Sequence, residues 1–419
     1  TVDSFLTFFM FSAFVCALRS SLAPSPLFTA LAGLLGGWAL ATKLPAALIF
    51  PLLGILLALP HGRQRRWLAL GGHLALFSLA ALVALRIGDP HMFAPGVFSL
   101  TPEGRFVENI RTLRQWSRPD VWFPPAFQWI DRAPVIFALE NLLRWGVGLP
   151  FGLLMLLGGA LACRSTWRAL RRGEYRPDLL VTGVWVLGFF LFQSVQFSKT
   201  LRYFLPLYPF FAVLAAAGTL GGVALVPGGA RRAVLGVSIV AAMIWPTAFL
   251  SIYTREHSRV TASRWIYENV PPGDVLTAEY WDDALPLPLG EKNPGIYRLV
   301  SMKVFDEESP AKEAHMNAVL ASADWIVLSS NRGYGSLMRL PGRFPHTGQY
   351  YRDLFAGRLG FRREATFTSY PRIDLGLFSW EFPDDGAEEV FSVYDHPQVT
   401  IFRRVSRDAG PPGETSPQP

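Results

Sequence analysis

Charge is scarce in this sequence. Asp, Glu, Lys and Arg make up 17% of its 419 residues against 51% hydrophobic, well short of the roughly one-quarter charged residues of an ordinary soluble domain. A soluble globule is thereby excluded over most of the length. Cysteine is almost missing too. The only two, Cys16 and Cys163, fall inside apolar runs, so neither a disulfide framework nor a thiolate metal site is expected. The histidines at 61, 73, 91, 257, 315, 346 and 396 share no ligand spacing with each other or with the cysteines, and no metal site is expected from them. There is no P-loop, no GxSxG and no dinucleotide fingerprint. ATPase and hydrolase readings lack support. Although the net charge is +7, the basic residues do not gather into a patch interleaved with aromatics, as a nucleic-acid surface requires. No nucleic-acid partner is expected.

What the sequence does have is long apolar runs. Eight stretches, near 4–20, 27–42, 44–60, 67–87, 135–162, 178–197, 201–225 and 233–253, approach the roughly 20 residues that cross a bilayer. The second and third are separated by Lys43, which predicts a hairpin turning at Thr42-Lys43-Leu44-Pro45. Arg19, then Arg63, Arg65 and Arg66, then Arg164, Arg168, Arg171, Arg172 and Arg176, then Arg231 and Arg232 fall on alternate connections. By the positive-inside rule these connections are cytoplasmic. Asp3, Lys43, the loop 88–134, Ser198-Lys199-Thr200 and everything after Tyr253 are then expected on the outer side. The chain opens on Thr1, with no basic region or cleavage site before its first apolar run, and reads as a fragment truncated at its N-terminus.

From about Thr254 the texture changes to that of a soluble α/β domain, expected to run to about Arg407. "EHSRVTASRWIYENVPPGD" has helical spacing ended by Pro271-Pro272-Gly273, and "VLTAE" after it reads as a strand. "SPAKEAHMNAVLAS" predicts a capped helix leading into "DWIVLSS", a short buried strand of a parallel sheet. "YYRDLFAGRLGF" predicts a further helix stopped by Gly360. "FSVYDHPQVTIFRRV" predicts two strands broken at Asp395-His396-Pro397. The tail 408–419, rich in Pro and Gly, is expected to be disordered.

Several polar residues stand out against this background. "QFSKTLRYFLPLYPFF" places Lys199, Arg202 and Tyr203 between apolar runs, on the side where the positive-inside rule disfavours cations. They read either as interfacial anchors or as a seat for a lipid-linked phosphate, with Arg as a fork and Lys as a point charge. Pro206 and Pro209 would open space beside that helix. Asp3 reads as an N-cap to a helix starting at Ser4 or as a functional carboxylate. Lys43 is a turn residue or a second phosphate contact. Trp122, Phe123, Phe127 and Trp129, clustered around two prolines, suit a sugar-stacking or lipid-contacting wall. Glu279, Asp282 and Asp283, just after a predicted strand, form either a solvated loop or a functional acidic group.

Three of these stretches, "TVDSFLTFF", "GLLGGWALATKLPAALIFPLL" and "SKTLRYFLPLYPFFAVLAA", resemble the membrane core of the GT-C superfamily of lipid-linked-sugar glycosyltransferases. Protein O-mannosyltransferases and lipid A aminoarabinose transferases are members of it. "PPAFQWIDRAPVIFALENLLRWGVGLPFGL", "ASRWIYENVPPGD", "EYWDDALP", "SSNRGYGSLMRLPGRFP" and "VYDHPQVTIFRR" are similar to a bacterial branch of phospholipid-carrier-dependent glycosyltransferases. The resemblance implies an α-helical polytopic membrane protein with a GT-C-like core and a C-terminal soluble α/β domain. It also implies an inverting transfer from a polyprenyl-phosphate sugar donor at the outer face of the bacterial cytoplasmic membrane. The acceptor would be a protein, a lipid or a glycan. By resemblance Asp3 matches a catalytic acidic position, and Lys199 and Arg202 match the phosphate-side pair, with Tyr203 and Lys43 beside them. Trp122, Trp129, Asp282 and Asp283 would contact substrate. In the family an acid in the first outer loop activates the acceptor hydroxyl; that loop would precede Thr1, so the main base is expected to be missing from this chain and Asp3 to be the second acidic position, at a span start. No cofactor is expected, and the metal requirement stays open. Two other classes compete with this reading: a non-catalytic protein that binds or moves a lipid-linked sugar, and a sensor whose outer domain binds saccharide.

Overall fold

A computed structural model describes residues 2–63, 65–96, 99–174 and 177–405; the expected tail lies outside them. The chain divides into two compact units, residues 1–121 with 132–244, and residues 122–131 with 245 onward. The sequence places the boundary near Tyr253 and the whole loop 88–134 with the spans. In the structure the second unit takes both the end of the last apolar helix and ten residues of that loop. The reason is packing: Phe127 and Trp245 are buried in it.

The first unit is helical. Its elements are α1 (Val2–Leu22), α2 (Pro26–Thr42), α3 (Phe50–Arg63), α4 (Trp67–Gly88), α5 (Gly104–Trp116), α6 (Ile136–Asn141), α7 (Leu149–Arg171), α8 (Pro177–Ser194), α9 (Tyr208–Ala224) and most of α10 (Arg231–Leu250). Among the described residues six helical stretches are long and apolar enough to cross a membrane, and the segments Pro26–Thr42 and Leu180–Ser194 are apolar but shorter. This is the make-up of a multi-pass membrane protein. Side chains such as Leu153, Leu187, Val237 and Val240 stay exposed along these helices, as lipid-facing residues do.

Helix contacts here run through small residues. A Cβ at Gly33 or Gly37 of α2 would collide with the Phe77 or Ala81 carbonyl of α4, and Gly158 of α7 and Gly218 of α9 stand in the same relation to Leu214 and Leu154. Close backbone approach of this kind replaces the hydrophobic drive that lipid cannot supply. The predicted span at 135–162 is corrected by the structure. Leu142–Gly146 is a π turn, Gly148 has φ +78° and Pro150 sits in the first turn of α7, so the long helix begins at Leu149 and runs on to Arg171.

The second unit is α/β. After α11 (Ser258–Asn269) come β1 (Val275–Glu279), β2 (Arg298–Met302), α12 (Pro310–Ser322), β3 (Trp325–Leu328), α13 (Arg332–Leu337), α14 (Pro345–Phe355), β4 (Phe361–Phe367), β5 (Arg372–Asp374), β6 (Ser379–Glu381), α15 (Glu389–Ser392) and β7 (Val399–Arg404). The main sheet runs β2-β1-β3-β7-β4, with β1 parallel to β2 and β3, and β7 antiparallel to its neighbours. Period-two alternation in β3 divides the core. Trp325 and Val327 pack with Ile266 of α11, whereas Ile326 and Leu328 pack with Met316, Leu337 and Tyr351 of α12 to α14.

Ser309 caps α12 through the Lys312 amide at 3.1 Å, as its sequence predicts. Two other expectations are corrected. Helix α14 stops at Gly357 (φ +72°) rather than Gly360, with the Arg358 amide donating to the Asp353 carbonyl at 2.8 Å. The first of the two strands predicted in "FSVYDHPQVTIFRRV" is instead the end of α15, and only β7 is extended. Glu389 at the start of that turn is held by Arg332, a constraint between distant residues that local propensity does not express.

Candidate functional site

Asp3 lies in the first turn of α1. Its side chain is 4% exposed, and both carboxylate oxygens are engaged: Lys43 Nζ donates to Oδ1 at 2.7 Å, and Arg202 Nε lies 3.4 Å from Oδ2. The helix-cap reading therefore gives way to an ionic one. Lys43 ends α2 in extended conformation, and its amide caps the Ala39 carbonyl at 3.0 Å. The turn predicted at Thr42 to Pro45 is thus what aims the lysine. Residues Leu201–Leu207 form a 3-10 turn before α9, and this turn presents Arg202 and Tyr203 together. The Tyr203 ring lies 4.4 Å from Lys43 Nζ and 5.5 Å from the Arg202 guanidinium carbon, close enough for the ring face to attract both cations.

Two cations around one buried carboxylate leave a net positive charge. That charge borders a cavity of about 880 Å³. Asp3, Lys43, Tyr203, Gln193, Gln196 and Ser198 line its polar part, and Leu6, Met10, Leu44, Leu48, Phe189 and Phe192 its apolar part. Helix α5 closes another wall with Phe106, Asn109, Ile110, Leu113 and Arg114. Phe106, Ile110 and Leu113 follow helical spacing, so this face is legible as amphipathic in the sequence; its partner is not. Arg114 adds a further cation. A second cavity of about 490 Å³, lined by Arg86, Asp89, His91, Glu103 and Arg105, shares Phe106 and Asn109 with the first.

Arg202 is half exposed and reaches Asp3 without belonging to the cavity wall. Lys199 departs further from expectation. It is 5% exposed, donates to the Phe197 carbonyl at 3.2 Å, and does not line the cavity; burial pulls its amine below the ordinary lysine value. In place of Lys199 the structure offers Lys43 and Arg114.

Trp122 and Trp129, expected as a substrate wall, do not line the cavity. Trp129 is 6% and Phe127 0% exposed, so neither offers a ring face to a sugar. The Trp122 indole donates to the Phe305 carbonyl at 2.8 Å and packs on Phe127 and Phe344. These rings are core of the second unit. Asp282 is buried among its partners, whereas Asp283 is paired but 64% exposed. Arg259 contacts Asp282 Oδ1 at 2.8 Å and Asp283 Oδ2 at 2.6 Å, and Ser330 donates to Asp282.

Around Asp282 lies a sealed polar network. Arg332 donates to Glu389 Oε1 at 2.7 Å and to the Trp281 carbonyl at 2.6 Å. Glu279, 4% exposed, accepts from the Tyr351 hydroxyl at 2.6 Å, and burial pushes its carboxyl up to about 8. Within the apolar helices of the first unit, His61 and His73 meet with ring centroids 4.7 Å apart, and Thr29 Oγ1 lies 2.7 Å from His73 Nδ1. The fold thus joins two histidines that their spacing does not relate. Among the described residues no group of three or more His, Cys, Asp and Glu is placed to hold a metal ion.

Comparison with family models, curated proteins and solved structures gives no match. The functional reading rests on the site's geometry and on the motifs in the sequence.

Proposed function

We propose that this protein is a membrane glycosyltransferase of GT-C type that transfers a sugar from a polyprenyl-phosphate donor to an acceptor hydroxyl at the outer face of the cytoplasmic membrane. The observation that carries the reading is the pairing of one buried carboxylate and two cations with a cavity that is apolar over most of its wall. A ligand with an anionic head and a hydrocarbon chain complements both parts.

The chemistry follows from the exchange of charge. As the acceptor oxygen attacks the anomeric carbon, its proton passes to a general base and the bond from that carbon to the phosphate oxygen breaks, the electron pair leaving with the phosphate. Asp3 holds Lys43 and Arg202 together where the departing phosphate would gain a negative charge. The cations stabilise that charge.

The test uses the protein in nanodiscs with radiolabelled polyprenyl-phosphate sugars, following release of free polyprenyl phosphate. Asp3→Asn is expected to lower release by about a hundredfold or more, and Arg202→Ala to impair donor use more than Arg202→Lys, because only the former loses the charge. Donor that binds but is never consumed across a broad sugar panel would overturn the transferase reading in favour of a carrier-binding protein. The occupied state of both Asp3 oxygens is the feature that favours this second reading.

A further inference from the structure

The hairpin β5–β6 carries a concentration of exposed apolar surface that the site above does not use. Around its tip Leu375 is 74%, Leu377 92%, Phe378 76% and Trp380 66% exposed. No charged residue lies between Asp374 and Glu381. The turn itself is well made, with Gly376 at φ +79°, its amide donating to Asp374 Oδ1 at 3.0 Å and the Leu375 amide to the Phe378 carbonyl at 2.9 Å. This shape holds large apolar side chains out in solvent, which a domain surrounded by water does not sustain without a partner.

What covers them is indicated by where the hairpin is tied. The Arg372 amide, at the start of β5, donates to Ser251 Oγ at 3.0 Å, one residue past the end of α10. Arg255 reinforces the joint, donating to the Ser251 carbonyl and to the carbonyls of Ser369 and Tyr370. On the other strand Trp380 stacks on Phe382 with centroids 5.0 Å apart, and Phe382 meets Trp245 of α10 edge-on at 6.0 Å. Trp245 lies five residues before the end of α10, about 7.5 Å down the helix axis. The hairpin is therefore fastened beside the last turns of an apolar helix of spanning length. Tyr253, 60% exposed, follows that helix where an interfacial aromatic belongs. With three-residue strands the tip is only about 10 Å from this base, comparable with the depth of one interfacial layer.

We propose that the β5–β6 hairpin is a lipid anchor, inserting Leu375, Leu377, Phe378 and Trp380 into the bilayer interface beside the end of α10. The partner is the lipid itself. Asp374 and Glu381 flank the tip, and Arg372 pairs with Asp374 at 3.4 Å, so no excess of positive charge calls for anionic headgroups; zwitterionic lipid suffices and insertion is driven by apolar area. The inference depends on α10 crossing the membrane and not on the transferase reading.

The test replaces Cys16 and Cys163 by Ala, introduces Phe378→Cys, labels it with an environment-sensitive fluorophore, and places the full chain in phosphatidylcholine nanodiscs. Insertion predicts a blue-shifted emission that is strongly quenched by lipid carrying a nitroxide high on its acyl chain and is shielded from aqueous iodide. Quenching by iodide but not by the nitroxide lipid would overturn the proposal. Shielding from both quenchers would overturn it too, since the tip would then be covered by protein, a second copy included.

Discussion

The two units handle the same chemical groups in opposite ways. In the first, Asp3 is buried, but its partners Lys43 and Arg202 are 27% and 53% exposed, and Asp3 and Lys43 line a cavity. In the second, Arg259 and Arg332 are sealed against Asp282 and Glu389, every member nine-tenths buried or nearly so. A cation with access to open space can exchange its carboxylate for a ligand anion. One that is walled in has only its structural partner. Access of this kind separates the Asp3 group from Asp282, which follows β1 and is sealed.

Breaking the sealed network should have the largest effect. Arg332→Ala leaves Glu389 unpaired in the interior and is expected to cost about 3–5 kcal/mol, read as a lowered unfolding midpoint of the protein in nanodiscs. The double replacement Arg332→Met with Glu389→Leu removes both charges and should recover most of that loss. Equal destabilisation by both would show that the pair's shape, not its charge, matters.

A second, smaller effect sharpens the same contrast through pH. The Glu279 carboxyl is pushed up to about 8 from its usual 4.5 by burial, so between those values the folded protein holds a proton that the unfolded chain has released. Stability contributed by this group is then highest at low pH and declines as pH rises through the window, by on the order of 1 kcal/mol per unit. It levels off above about 8. Glu279→Gln keeps an acceptor for Tyr351 and should flatten that decline between pH 6 and 8. An unchanged slope in the variant would mean that Glu279 is already ionised in the fold.

Smallest of all should be the stability effect at the cavity. Lys43→Ala leaves Arg202 to pair with Asp3, and a pair with partners this exposed is worth about 1 kcal/mol or less. Its midpoint should stay close to wild type while donor binding falls. A loss comparable to that of Arg332→Ala would place Lys43 in the structural class instead.

Much of this is legible in the sequence, and the parts that are not have a common cause. Apolar runs predict the helices because composition and length are local properties, and "VLTAE", "DWIVLSS" and the Ser309 cap report themselves the same way. The span at 135–162 misleads because a continuous apolar run hides the break that Gly148 and Pro150 impose. Asp3, Lys43 and Arg202 stand out singly, but that they meet depends on how α1, α2 and the turn before α9 pack. The same holds for the loop aromatics: their density looks alike whether the rings face a sugar or, as Trp122 and Phe127 do, Phe344. Lys199 and Arg202 are three residues apart, yet one points to a carbonyl and the other to Asp3, a difference set by the 3-10 turn that begins between them.

The most direct test is photo-crosslinking with a polyprenyl phosphate bearing a diazirine on its chain, applied to the protein in nanodiscs and mapped by peptide sequencing. The account predicts label on Leu44 to Leu48 and on Phe189 to Phe192, lost when Lys43 and Arg202 are both replaced by Ala. Label that falls elsewhere, or that survives the double replacement undiminished, would contradict the assignment of the cavity to a lipid-linked phosphate.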